Sequence, residues 1–193
     1  AVSPTSGNDF TQAGRAGALG IIYDWLHVDV TSRTHVASGR LYKDEMFDFV
    51  KATAHAQAGF ICGSGGSTLS VEWKCKNGAP TPWATGTHAD SNNSEMARAV
   101  LAMVDDFPEL ENLAVTLLQG DRDVVAPFRD YVAVDGAHHF GYDYGATYTQ
   151  LFGSMAWHSA TDVNVLRPYM APLPFRAIYG LRGDDLQPAV GDA

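Results

Sequence analysis

The densest group of chemically active side chains lies between Asp135 and Tyr148, where four aromatics, two histidines and three glycines fall within fourteen residues. His138 or His139, oriented by Asp143, has the make-up of a general base working near neutral pH. Tyr142, Tyr144 or Tyr148 would stack a ligand beside it, so this stretch predicts a pocket and a small hydrolytic enzyme. The same composition suits a protein contact surface, because tyrosine pairs a broad ring with a polar tip. It also suits a buried loop in which glycine supplies unusual backbone angles.

Other motifs stop short of a site. Gly63-Ser-Gly-Gly-Ser67 has the glycines of a phosphate cradle, but a cradle needs a helix N-terminus after it. Leu69-Ser-Val-Glu-Trp73 follows and reads as strand. A nucleophile elbow needs glycine two residues before Ser64, where Cys62 stands. His27 with Asp29, and His88 with Asp90, are two apart. On a strand each pair would share a face and chelate. Zinc wants three or four converging ligands, and no His-Glu-x-x-His or Cys-x-x-Cys pattern is present, so neither a metal nor another cofactor is expected. Arg182-Gly183-Asp184 is a cell-adhesion tripeptide too short to carry weight.

These residues must be held by elements that the pattern of apolar positions defines. Asp44–Ala58 is predicted to be a helix, with Met46, Phe47, Val50 and Ala54 on one face, Asp44 and Glu45 in its first turn and Gly59 closing it. Ser94–Phe107 and Pro108–Gln119 form a predicted helix pair. Met96, Ala99, Val100 and Met103 line the first helix, and Asn92 and Glu95 stand at capping-box spacing. In the second, Asp106 is the expected N-cap, Pro108 the first residue and Gly120 the stop, with Leu110, Leu113, Ala114, Leu117 and Leu118 on its buried face. Thr11–Val30 carries Leu19, Ile22, Tyr23 and Leu26 at helical spacing. Gly14, Gly17 and Gly20 within it imply either a late start near Gly17 or close backbone packing. Phe60-Ile-Cys62 and Thr68–Trp73 read as a short β-hairpin, and Val124–Val134 is rich in strand formers. Thr147 is the expected cap of a helix carrying Tyr148, Leu151, Phe152, Met155 and Ala156. Prolines at 168, 172 and 174 force an extended path. The expected class is α+β: one helix-rich domain over residues 11–180, with a helix pair, a short hairpin and long irregular segments, between a flexible arm (1–10) and a frayed tail (181–193).

The chain has 193 residues, 13 Lys plus Arg against 22 Asp plus Glu, and 46% hydrophobic residues. That composition excludes intrinsic disorder, and the net charge of −9 argues against direct nucleic-acid binding through phosphates. No apolar run is long enough to span a membrane. Asp44, Glu45, Glu95, Asp106 and Glu109 fall at predicted helix N-termini, which accounts locally for part of the acid excess. Cys62 and Cys75 do not make a disulfide framework. Free thiols are the favoured reading, with a local bridge across the Gly/Ser turn as the alternative. Ala1 and the small, polar tail both read as processed ends.

The runs Asp135-Gly-Ala-His-His-Phe-Gly-Tyr-Asp-Tyr-Gly145, Trp157-His-Ser-Ala-Thr-Asp-Val-Asn164 and Leu166-Arg-Pro-Tyr-Met-Ala-Pro-Leu-Pro-Phe-Arg176 resemble, in their Gly/Ala- and Tyr-rich character and Pro-laden arms, the coat proteins of totivirus-type double-stranded RNA viruses of fungi. The resemblance covers under a quarter of the chain. It implies a capsid or capsid-surface component in a virion within host cytoplasm, an α-rich plate packing edge to edge. Such coats are several times longer, so the chain would be a fragment, an inserted domain or an accessory protein. The expectation is therefore a structural or assembly protein, likewise motivated by the lack of a complete catalytic motif. Its partners would be proteins, copies of itself included, and Tyr142, Tyr144, Trp157, Tyr169, Phe175 and Tyr179 would carry the contact.

Overall fold

The computed structural model describes residues 9–62, 73–76, 87–127 and 143–164. They form α1 (Asp9–Trp25), α2 (His27–Ser32), α3 (Tyr42–Ala56), α4 (Ala58–Cys62), α5 (Thr87–Met103), a single 3-10 turn (Pro108–Leu110), α6 (Glu111–Gly120) and α7 (Asp143–Thr161). Helix α5 is the centre: α1 and α7 make their main contacts with it, while α3, α4 and α6 pack around the rest of the core. Its Met96, Ala97, Ala99, Val100 and Met103 are all buried, together with Val50 and Ala54 of α3 and Leu113 and Leu117 of α6.

Glycine sets the approach of α1. A Cβ placed at Gly20 would lie 2.7 Å from the Cα of Ala99, and one at Gly17 would collide with the Glu95 carboxylate. The recurring glycines thus serve close backbone packing, and α1 begins at Asp9, inside the expected arm. Gly17 faces Glu95 and Arg98, Gly20 faces Ala99, and Tyr23 reaches Asp106, so α1 and α5 run in the same direction. Helix α7 repeats the device: a Cβ at Gly153 would lie 2.7 Å from the Cβ of Ser94.

The expectation of an α+β fold with a short hairpin is overturned. Among the described residues there is no β-strand, only an isolated antiparallel bridge between Thr34 and Leu41. Phe60–Cys62, expected as a strand, closes helix α4. Gly59 did not stop the chain there, because Ile61 N–H bonds to the Gln57 carbonyl at 3.1 Å and the Ile61 and Cys62 side chains are buried in the helical core. A three-residue apolar run has no period of its own, and packing decided it. Trp73, the last residue of the second expected strand, sits at φ 56. The strand-rich stretch from Val124 begins in a wide helical turn (Asp121–Val125) that continues α6. Gly120 keeps helical angles instead of ending the helix, because Asp121 and Val125 beyond it are buried. The rest of both expected strands lies outside the described residues.

Cys62 and Cys75 form a disulfide with Cα atoms 5.3 Å apart, against the free-thiol expectation. Residues 73–76 are thereby tied to α4. The left-handed backbone of Trp73 is over-determined: His55 stacks on its ring at 4.8 Å and the Thr116 hydroxyl donates to its carbonyl at 3.0 Å.

Three stability outcomes follow from this packing. Gly20→Ala should cost about 1–3 kcal/mol through overpacking, whereas Gly14→Ala, where an added Cβ meets nothing within 4 Å, should gain up to about 1 kcal/mol. Replacing both cysteines by serine, which opens a bridge spanning 13 positions, should cost about 3 kcal/mol. Urea unfolding of the three variants without reductant checks all of these.

Candidate functional site

The described residues hold three polar clusters with the side chains of acid–base chemistry. In the first, the Tyr23 hydroxyl donates to Asp106 Oδ2 at 2.5 Å and His27 Nε2 donates to the same oxygen at 2.7 Å. Tyr23 comes from the buried side of α1 and His27 opens α2, the two rings meeting edge to face at 5.5 Å. Asp106 lies in the link after α5, and its neighbour Phe107 is fixed by stacking on Phe47 at 4.2 Å. Burial first, and then the bond to Asp106, holds the Tyr23 phenol well above its ordinary value. The Asp106 carboxyl is held below its own by Tyr23 first and His27 second. A base with an orienting carboxylate is thus present, but Tyr23 donates into the carboxylate and no described nucleophile faces His27.

The second cluster has the residues of a Ser-His-acid triad without its relay. His35 Nδ1 lies 2.8 Å from Glu45 Oε2 and 3.3 Å from Ser38 Oγ, so both partners meet the same nitrogen. A triad places the serine on one ring nitrogen and the acid on the other. The Glu45 carboxyl is held below its ordinary value, by Ser38 first and His35 next. The group pins the loop between α2 and α3, which turns at Gly39 (φ 71). In the third cluster the buried Asp121 carboxylate accepts the Trp157 indole N–H at 2.8 Å.

These contacts correct several sequence expectations. Asp106 is not a helix cap: Phe107 holds that position with no side-chain cap bond, and Asp106 is taken by Tyr23 and His27. Helix α5 starts at Thr87, so Asn92 and Glu95 are interior residues and make no capping box. Both are buried; Asn92 donates to Gln57 Oε1 at 2.8 Å, and Glu95 pairs with Arg98. His27 and Asp29 do not chelate together, since Asp29 pairs with Arg33 at 2.8 Å. His88 and Asp90 lie in the first turn of α5. Among the described residues no group of three His, Cys, Asp or Glu is placed to hold a metal.

Of the aromatic contact residues, Trp157 is in the core, 1% exposed. Tyr144 lies in the first turn of α7. Tyr142, Tyr169, Phe175 and Tyr179 lie outside the described residues, as do His138 and His139 of the hydrolase alternative; Asp143 is the first residue of α7.

What the sequence pattern missed is a surface. Leu19, Ile22, Tyr23 and Leu26 stand at the spacing of an amphipathic helix, yet only Tyr23 is fully buried. The buried side is Ala13, Ala16, Gly17, Gly20 and Tyr23, with Leu19 packed at its margin, and Ile21, Ile22 and Trp25 point outward. Trp25 and Val28 are each 79% exposed, and Ile21, Ile22 and Leu26 are all more than a third exposed. The glycine spacing was the available signal: a helix that packs by glycine presents its bulky residues elsewhere. On α7, likewise, Gly153, Ser154 and Trp157 are buried while Leu151, Phe152 and Met155 are exposed.

No family profile, curated protein or solved structure matches the chain.

The Tyr23–Asp106–His27 group generates a pH prediction. A depressed Asp106 stabilises the fold above the ordinary carboxylate range near about 4 and ceases to as pH falls through its folded value; a raised Tyr23 stabilises it below about 10 and the benefit is lost as pH rises above that. Asp106→Asn should flatten the acid limb of stability against pH and retain part of the alkaline loss, since burial of Tyr23, its first cause, persists. Tyr23→Phe should remove the alkaline loss. Urea unfolding across pH decides this, and an acid limb unchanged in Asp106→Asn would refute the assignment.

Proposed function

We propose that the chain is a structural or assembly protein that works by protein–protein contact, through the exposed face of α1 and α2. The observation carrying this reading is the set of exposed apolar residues Ile21, Ile22, Trp25, Leu26 and Val28 at the end of α1 and the start of α2, where the core side of α1 is built largely from glycine and alanine. Isolated exposed apolar residues are ordinary, whereas contiguous apolar patches of several hundred Å² mark interaction sites. Tryptophan at the centre of such a patch is the residue type that dominates interface energetics.

The polar clusters favour this role over hydrolysis, because each carboxylate is taken up by neighbouring side chains of the fold and none of the three forms a serine–histidine–acid relay. A coat or coat-surface component, as the totivirus-type resemblance implies, is one form of the role. The Cys62–Cys75 bridge favours an oxidising compartment over a reducing cytoplasm. Among the described residues no helix is long and apolar enough to cross a membrane.

The test is light scattering of the full chain over a concentration series. The wild-type chain should self-associate, and Trp25→Glu should shift it to monomer with an unchanged circular dichroism spectrum. A wild-type chain that stays monomeric at every concentration refutes the reading of self-assembly, and an oligomer indifferent to Trp25→Glu refutes the face.

A further inference from the structure

We infer that the occupant of this face is a second copy of the chain, with the two α1 helices paired antiparallel about a two-fold axis and Arg15 of each copy meeting the Asp29 end of the other. The inference rests on the protein-contact reading and adds the partner and its orientation.

The geometry begins at the junction of α1 and α2. The helix breaks at Leu26 (φ −113, ψ 27), where the Leu26 N–H closes α1 on the Ile22 carbonyl at 2.9 Å and the Val30 N–H opens α2 on the Leu26 carbonyl at 3.0 Å. The inner side carries across the break, since Tyr23 and His27 reach the same Asp106 oxygen and Tyr23 and Val30 are both buried. Arg15, Ala18, Ile22 and Trp25 follow one another at intervals of three and four along the outer face of α1, and Asp29 lies exposed on the outer side of α2. All five are exposed, while Ala13, Ala16, Gly17, Gly20 and Tyr23 occupy the opposite, buried side. The stripe has a cation at one end, a carboxylate at the other and apolar residues between.

Such a stripe is self-complementary in one sense only. Fourteen positions at about 1.5 Å each put its charges roughly 20 Å apart, beyond the Debye length at physiological salt, so within one copy they barely interact. Two copies side by side in parallel would bring Arg15 to Arg15 and Asp29 to Asp29. Reversing one copy brings each cation to the opposite end's carboxylate, the isologous arrangement of a two-fold dimer. Asp29 already pairs with Arg33 at 2.8 Å, an exposed contact with a carboxylate oxygen to spare. Trp25 alone leaves on the order of 200 Å² uncovered, and the four aliphatic residues around it take the face toward the roughly 800 Å² per partner of a stable interface. The apolar centre supplies affinity and the charged ends select orientation.

Charge exchange tests the pairing, with the dimer dissociation constant as readout. R15E should weaken the dimer about tenfold by bringing carboxylates together, and D29K should do the same with cations. The double variant R15E/D29K should recover near wild-type affinity. D29N, which places no new cation beside Arg33, should weaken the dimer less than D29K. A double variant no tighter than the singles, in a chain that Trp25→Glu still makes monomeric, overturns the antiparallel pairing and leaves the contact face standing. A dimer that survives Trp25→Glu overturns both.

Discussion

Helix α1 lies against α5 as closely as it does only because Gly17 and Gly20 carry no side chain there. At Gly20 the neighbouring group is α5 backbone, with Arg98 O and Ala99 Cα both 2.7 Å from where a Cβ would stand. Backbone cannot rotate away as a side chain can, so the spacing of the two helices is fixed at that point. The direction of α1, the depth at which Tyr23 enters and the place where α2 departs all follow. So does the inversion of its amphipathic sense, since a helix that offers glycine and alanine to the core must hold Ile21, Ile22 and Trp25 away from it.

Close packing of small residues buries little apolar surface per residue, and polar anchors supplement it. Ser91 through Glu95 are all buried on α5, a polar run that an apolar contact surface would not tolerate without partners. Gln57 meets Asn92, and Glu95 meets Arg98, whose guanidinium also lies 5.6 Å over the Phe152 ring of α7. Asp106 ties the link after α5 to both α1 and α2, and Asp121 ties the turn after α6 to Trp157 of α7. Each carboxylate joins segments far apart in sequence and contributes specificity of arrangement more than net stability. The same residue types drew attention as catalytic or capping candidates; their partners place them in the frame of the fold.

The sequence was legible where burial and periodicity agreed. On α3 and α5 the apolar positions at i, i+3 and i+4 are the buried ones, and Asp44 and Glu45 do sit in the first turn of α3. It misled where the driving contact was with another element. Asn92 and Glu95 have cap spacing, but the helix begins five residues earlier and tertiary hydrogen bonds take them. Asp106 stands in a cap position before Pro108, yet a phenol and an imidazole 83 and 79 residues away compete for it and win. Phe60–Cys62 looks like a strand from β propensity alone, and becomes helix because Ile61 and Cys62 find burial on that path. None of these outcomes is encoded within a window of a few residues. The exposed face was half legible: the Gly14, Gly17, Gly20 spacing announced close packing, but apolar size suggested the wrong side.

Exposure of Trp25 would count for little if the segment around it were loose, since ordering a flexible helix on binding costs conformational entropy. Here both sides of that turn are held. Gly17 and Gly20 fix α1 two turns before Trp25, Tyr23 locks the turn itself through Asp106, and His27 on the next residue but one reaches the same carboxylate oxygen. Phe107 holds Asp106 in place by stacking on Phe47 of α3. The apolar face is therefore presented by a backbone anchored from behind at Tyr23 and His27, with Trp25 between them facing out. A contact made there leaves chiefly side-chain rotamers to be ordered, which is the condition under which a face of modest area gives a stable association.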